Sequence, residues 1–157
     1  MMSSAAELVR LLNTRKMRLA VAESCTGGLL AGEITSVPGS SLCFDRGYVT
    51  YSALAKSEML GIPEALIEEK GPVSGLTALL MAESARQLSA AQVACSITGV
   101  AGPGSDSLGN PEGLVYIGVS VEGFEAEVEK HLFEGGRQDI RGAAVDAALE
   151  LMLRKLR

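Results

Sequence analysis

A chain of 157 residues, 47% of them apolar and 21% charged, is sized for one domain (1–157) with a filled core, and is too apolar for a disordered segment. Its 14 Lys and Arg against 19 Asp and Glu leave a net charge of -5 without a basic surplus, which argues against nucleic acid as a ligand. No apolar run approaches the roughly 20 residues that cross a bilayer, and Met1 to Arg18 lack a signal peptide's apolar centre, so a cytoplasmic protein with no membrane partner is expected.

Leu8, Leu11 and Leu12 at helical spacing predict a first amphipathic helix over Ser3 to Thr14, and Met17 to Ala22 read as a short buried strand. The strand runs into Glu23-Ser24-Cys25-Thr26-Gly27-Gly28, after which Leu29, Leu30, Ile34 and Val37 resume helical order. A turn at Pro38 to Ser41 leads past Leu42, Cys43 and Phe44, read as core, to a second strand over Arg46 to Tyr51. Ala53 to Leu60 form a short helix ended by Gly61, and Pro63 opens another helical turn through Ile67. Ser74 caps a long helix through Leu88, and Val93 to Thr98, small and apolar, read as a central strand. A glycine-rich loop follows, then two strands, Leu114 to Val121 and Ala126 to Phe133, joined as an antiparallel hairpin. Gly135-Gly136 breaks the sheet before a closing helix over Arg137 to Leu156. Helices before, between and after strands predict an α/β fold, a three-layer α/β/α sandwich on a mixed sheet.

Three strand ends carry polar clusters. In the first, the hydroxyl of Ser24, the thiol of Cys25 and the glycines 27 and 28 meet a helix start, whose free amides favour an anion. A plain helix cap explains the same residues. In the second, Lys56 lies one helical turn beyond Ser52. Held against apolar walls it would lose its proton and serve as a base, and in water it is an ordinary surface lysine. Tyr51 beside it reads by type as a core residue. The third, Thr98 to Gly104, suits an oxyanion or phosphate but matches neither the P-loop nor the dinucleotide fingerprint. Arg137 and Arg141, four residues apart, either grip a phosphate or lie on the surface. His131, the single histidine, falls in strand alternation, and Cys25, Cys43 and Cys95 form no metal-binding pattern, so neither a metal nor a cofactor is expected.

Taken in order, Glu23-Ser-Cys-Thr-Gly-Gly-Leu, Val37-Pro-Gly-Ser-Ser, Tyr51-Ser with Lys56, Val73-Ser74, Thr98-Gly-Val-Ala-Gly-Pro-Gly and Gly136-Arg137 with Ile140-Arg141 resemble the C-terminal domain of CinA, the competence/damage-inducible protein family. The resemblance spans essentially the whole chain. It implies an amidohydrolase that converts nicotinamide mononucleotide (NMN) and water to nicotinic acid mononucleotide and ammonia, in pyridine-nucleotide recycling. It implies Ser24 as nucleophile, Lys56 as base, Tyr51 as a positioning group, and Thr98 and Gly99 with the amides around Thr26, Gly27 and Gly28 as oxyanion holders. Cys25 is the rival nucleophile, Arg137 and Arg141 are implied on the substrate phosphate, and the family leans towards a homodimer. Full-length members carry in addition an N-terminal nucleotide-pyrophosphatase domain, for which 157 residues leave no room. Two loops depart from the family: Gly135-Gly136-Arg137 stands where Gly-Asp-Arg is common, and Asn110-Pro111-Glu112-Gly113 where Lys-Pro-Val-Gly is common. Glu112 would repel a phosphate if it faced the pocket. A non-catalytic interaction module and a hydrolase of another small amide are the alternatives.

Overall fold

The computed structural model describes residues 1–157. Its strands are β1 (Leu19–Glu23), β2 (Phe44–Val49), β3 (Val93–Gly99), β4 (Leu114–Val121) and β5 (Glu127–Leu132), in the spatial order β2-β1-β3-β4-β5. β2, β1 and β3 run parallel, and β4 and β5 complete the sheet antiparallel, so the sheet is mixed and the hairpin is present. The helices are α1 (Ser4–Arg15), α2 (Leu29–Thr35), α3 (Ala53–Leu60), α4 (Glu64–Lys70), α5 (Gly75–Leu88) and α6 (Arg137–Leu156). α1, α2 and α6 pack together on one face, and α5 lies on the other with α3 and α4 against it, giving the three layers.

Alternation along the strands builds two unlike cores. Leu19, Val21, Val93, Cys95, Ile97, Val115, Ile117 and Val119 point towards α1, α2 and α6 and join a cluster of 26 buried residues. Ala20, Ala22 and Ala94 point the other way, into a cluster of 9 with Met81 and Ala85 of α5. Ser96 and Gly118, paired across β3 and β4, continue that second face. The small side chains bring α5 down onto the sheet: the Ser96 hydroxyl donates to the Ala78 carbonyl at 2.5 Å, and Arg86 Nε donates to Ser120 Oγ at 2.8 Å.

Chain direction then sets the place for a ligand. The β1-to-β2 connection through α2 passes over one face, while the β2-to-β3 connection through α3, α4 and α5 passes over the other. The carboxyl end of β1 is therefore a topological switch point, the position at which open α/β sheets leave a crevice.

Several boundaries differ from the sequence reading. β1 starts two residues later and extends through Glu23, and β2 starts and ends two residues earlier, so Thr50 and Tyr51 lie beyond its end. Leu42, read as core, is 71% exposed in a 3-10 turn over Ser40–Leu42, whereas Cys43 is buried and Phe44 packs partly against the core. One turn of 3-10 helix points its three residues to three sides, and here Ser40 takes the buried one while Leu42 faces solvent.

Candidate active site

Three chain segments meet at the carboxyl end of β1. The Ser24 amide donates to the Ile97 carbonyl of β3 at 2.9 Å, and the Thr50 amide donates to the Glu23 carbonyl at 2.8 Å, fixing the loops after β1 and β2 side by side. Glu23 ends β1 with a buried carboxylate that accepts from Thr26 Oγ1 (2.6 Å) and from the amides of Leu30 (2.9 Å) and Ala31 (3.0 Å). An anion at these amides stabilises the start of α2 and ties the segment between to the strand end. Gly28, with φ of 105°, makes the turn between them in a conformation that favours glycine. The helix cap anticipated from the sequence thus exists, but Glu23 supplies it, leaving the Ser24 hydroxyl uncommitted to that task.

Lys56 approaches from α3, whose N-cap is Ser52: the Ala55 amide donates to Ser52 Oγ at 3.0 Å. The side chain is 1% exposed. Its Nζ lies 2.9 Å from the Thr50 carbonyl, 3.4 Å from the Tyr51 carbonyl and 3.2 Å from Ser24 Oγ. Burial pushes Lys56 down to about 8, the main cause being lost hydration of the ammonium. In the neutral amine two hydrogens satisfy the two carbonyls and the lone pair is left for Ser24. The surface-lysine reading is thereby excluded. Ser24 Oγ itself can donate to the Tyr51 carbonyl at 3.3 Å.

Ser24, Cys25, Tyr51, Lys56, Thr98 and Gly99 all line one cavity of about 200 Å³. Surface grooves of about 590 and 410 Å³ are larger, but the first lies by the β4–β5 turn and the second holds no nucleophile–base pair. Cys25 stays a thiol: burial raises it to about 11, so beside Ser24 it is the poorer nucleophile near neutral pH. Tyr51 is 58% exposed rather than core. Its carbonyl faces the lysine, while its phenol oxygen, outside, accepts from Arg137 Nη2 at 3.1 Å. His131 pairs with Glu129 and stacks on Phe133 in the edge strand β5.

Other expected roles change with the geometry. Thr98 is fully buried and its hydroxyl hydrogen goes to the Pro72 carbonyl at 2.7 Å, so it holds the segment before α5 and has no proton left for an oxyanion. Gly99 lies so close to β4 that a Cβ would fall 2.6 Å from Val115 Cγ2. Thr26, Gly27 and Gly28 do not line the cavity, and the Gly27 amide is already bonded to the Ser24 carbonyl at 3.0 Å. The amides of Cys25 and Thr26 have no internal acceptor. Arg141 is held on the loop after β1, its guanidinium donating to the Cys25 carbonyl (3.0 Å), the Thr26 carbonyl (3.3 Å) and Gln138 Oε1 (2.9 Å). It clamps the loop after β1 to α6. Arg137 is exposed near the cavity mouth and bonds the Gly102 carbonyl at 2.5 Å. Glu112 accepts from the Gly104 amide at 3.2 Å and does not line the cavity, but its carboxylate lies against Gly102, whose carbonyl Arg137 bonds. No three His, Cys, Asp or Glu side chains converge as a metal site, and no helix is long and apolar enough to cross a membrane.

Sequence reasoning passed over Glu23 and the carbonyl of Thr50. The first had a readable signal, a carboxylate at the end of an apolar strand just before a helix start. The second had none, since any residue type carries a carbonyl.

Comparison with known proteins matches residues 1–156 to the CinA C-terminal domain model. A CinA-like protein of Syntrophobacter fumaroxidans is 48% identical over 145 residues, 92% of this chain and 34% of that protein. The chain thus spans about a third of the length of the curated relatives it matches. Among solved structures, the competence/damage inducible protein CihA from Agrobacterium tumefaciens is 40% identical, with a TM-score of 0.89 over 99% of this chain and 96% of that one. The competence damage-inducible protein A of Klebsiella pneumoniae is 31% identical, with a TM-score of 0.94 over 98% and 94%.

Proposed function

The chain belongs to the CinA C-terminal domain family, and on that premise we propose that it is an amidohydrolase that deamidates NMN by a serine–lysine mechanism. The observation that carries the reading is the 3.2 Å contact between the buried Lys56 amine and Ser24 Oγ at the floor of an open cavity.

In this mechanism neutral Lys56 takes the Ser24 hydroxyl proton as Oγ attacks the carboxamide carbon. The carbonyl π electrons move to oxygen, and the amide of Cys25, a residue of the cavity wall, has no internal acceptor and is the donor assigned to that oxyanion. Collapse of the tetrahedral adduct breaks the C–N bond while Lys56 returns its proton to the departing nitrogen, giving ammonia and an ester on Ser24. Water then attacks the ester with Lys56 again as base, releasing the carboxylate and restoring the serine hydroxyl. No cofactor takes part. Arg137, at the mouth beside the Tyr51 phenol, is the phosphate partner that remains once Arg141 is assigned to the loop clamp. Pairing of the chain as a homodimer belongs to the same proposal, and sedimentation of the purified protein tests it.

Ammonia release from NMN by the unaltered protein is the direct test. Ser24→Ala and Lys56→Ala should each reduce it by about 10³-fold or more with the fold retained, and Cys25→Ala should leave most of it. Equal release by all four proteins would instead favour an interaction module. Release from other carboxamides but not from NMN would keep the mechanism and change the substrate.

A further inference from the structure

The cavity wall contains one acidic residue, Asp106, contributed by the loop between β3 and β4. Its carboxylate is gripped by its own loop: Oδ1 accepts from the amides of Leu108 (2.9 Å) and Asn110 (2.8 Å), and Oδ2 accepts from Asn110 Nδ2 (2.9 Å). These neutral donors hold it ionised, below the usual carboxylate range. None of them cancels its charge, and no Lys or Arg lies within ion-pair distance of it. The cavity's one basic wall residue, Lys56, has to be neutral to act as a base. In the reactive state the walls therefore carry a single uncompensated charge, and it is negative.

We propose that Asp106 is a specificity determinant that selects carboxamides borne on a cationic ring over neutral ones of the same shape. The inference rests on the amidohydrolase reading of the site and adds a charge criterion to it. A pyridinium whose ring nitrogen carries the positive charge gains attraction from a fixed anion on the partly exposed cavity wall, whereas a neutral ring gains none. Oriented before the ligand arrives, the carboxylate needs no rearrangement to act.

The test uses the full chain with Ser24→Ala, so that ligand is bound and not consumed. The first ligand pair is NMN and its dihydro form, which keeps every substituent while its ring is neutral. The second is 1-methylnicotinamide and nicotinamide, which differ in charge and carry no phosphate. Asp106→Asn preserves Oδ1 for the two amides, and Asn110 can turn its side-chain amide to meet the new one. This change should weaken NMN about tenfold and dihydro-NMN less than twofold. The second pair should show the same loss of preference. Added salt should weaken NMN binding more with Asp106 present than with asparagine. Asn110→Ala, which disturbs the loop but not its charge, should move both members of a pair equally. Equal weakening of charged and neutral ligands by Asp106→Asn, or no weakening of either, would overturn the proposal. Failure of the unaltered protein to release ammonia from NMN would sink the substrate assignment instead, and the 1-methylnicotinamide pair would still decide the role of Asp106.

Discussion

On one face of the sheet, β1, β3 and β4 present leucine, valine and isoleucine to three helices, which answer with Leu12, Leu30, Ile34 and Leu153, all fully buried. On the other face the same strands present Ala20, Ala22, Ala94, Ser96 and Gly118 to α5, and Lys56, the proposed base, arrives from that side with α3. Burying a large aliphatic side chain contributes about 1.5–3 kcal/mol, several times what an alanine adds. The first face thus supplies most of the apolar burial. The second trades side-chain volume for close approach, which admits hydrogen bonds to backbone carbonyls and a charged residue held out of water. The difference teaches that the large-residue face supplies the bulk of the burial, while the small-residue face lets the buried lysine reach the end of β1.

Deleting volume on the large face is the strongest challenge to that division. Leu153→Ala should lower unfolding stability by about 2–5 kcal/mol, measured by denaturant titration, while activity per folded molecule stays near that of the parent. A matching loss of turnover would show that the faces are not separable.

The buried lysine gives the next largest effect. Its pKa falls from 10.5 free to about 8 folded. Between those values the unfolded chain holds more protons than the folded one, so stability rises with pH across about 8 to 10.5. The gain over that window is on the order of 3 kcal/mol, and Lys56→Met should abolish it. Turnover should climb with the same group, falling away as pH drops below about 8 because the ammonium cannot accept the serine proton. A pH–rate profile flat through that region would remove Lys56 as the base.

Close approach on the small face is tested by Gly118→Ala, whose new Cβ would sit 2.6 Å from both the Ala78 carbonyl oxygen and Ser96 Oγ. One added methyl should cost about 1–3 kcal/mol in thermal unfolding. The same change at a solvated glycine such as Gly142, which has nothing within 4 Å of its Cβ position, should be stabilising or neutral. The mildest effect is expected at Arg141→Ala. Losing the clamp on the Cys25 and Thr26 carbonyls should lower kcat about tenfold with KM little changed, because it loosens the nucleophile without removing a substrate contact. A rise in KM alone would return Arg141 to the phosphate.

Periodicity and turn residues were enough to read the elements, the hairpin and the layering, because alternation along β1, β3 and β4 and the breaks at Gly61, Pro63 and Gly135-Gly136 are local features. The motif order was likewise enough to indicate the family and to single out Ser24 and Lys56. Local sequence misled at Leu42, where an apolar residue points to solvent, and at Tyr51, whose ring is outside while its carbonyl is inside. It also could not separate Arg137 from Arg141, since which guanidinium clamps the loop after β1 depends on carbonyls more than a hundred residues earlier in the chain.

The composition, the spacing of apolar residues and the glycine-bearing strand ends determined a three-layer α/β chain with nucleophile and base candidates, since each of these signals lies within a few residues of itself. Only the folded arrangement decided that Lys56 is stripped of water, that Glu23 rather than serine caps α2, and that Asp106 faces the lysine's cavity. Those outcomes depend on which distant backbone groups meet, and backbone groups look alike in every sequence.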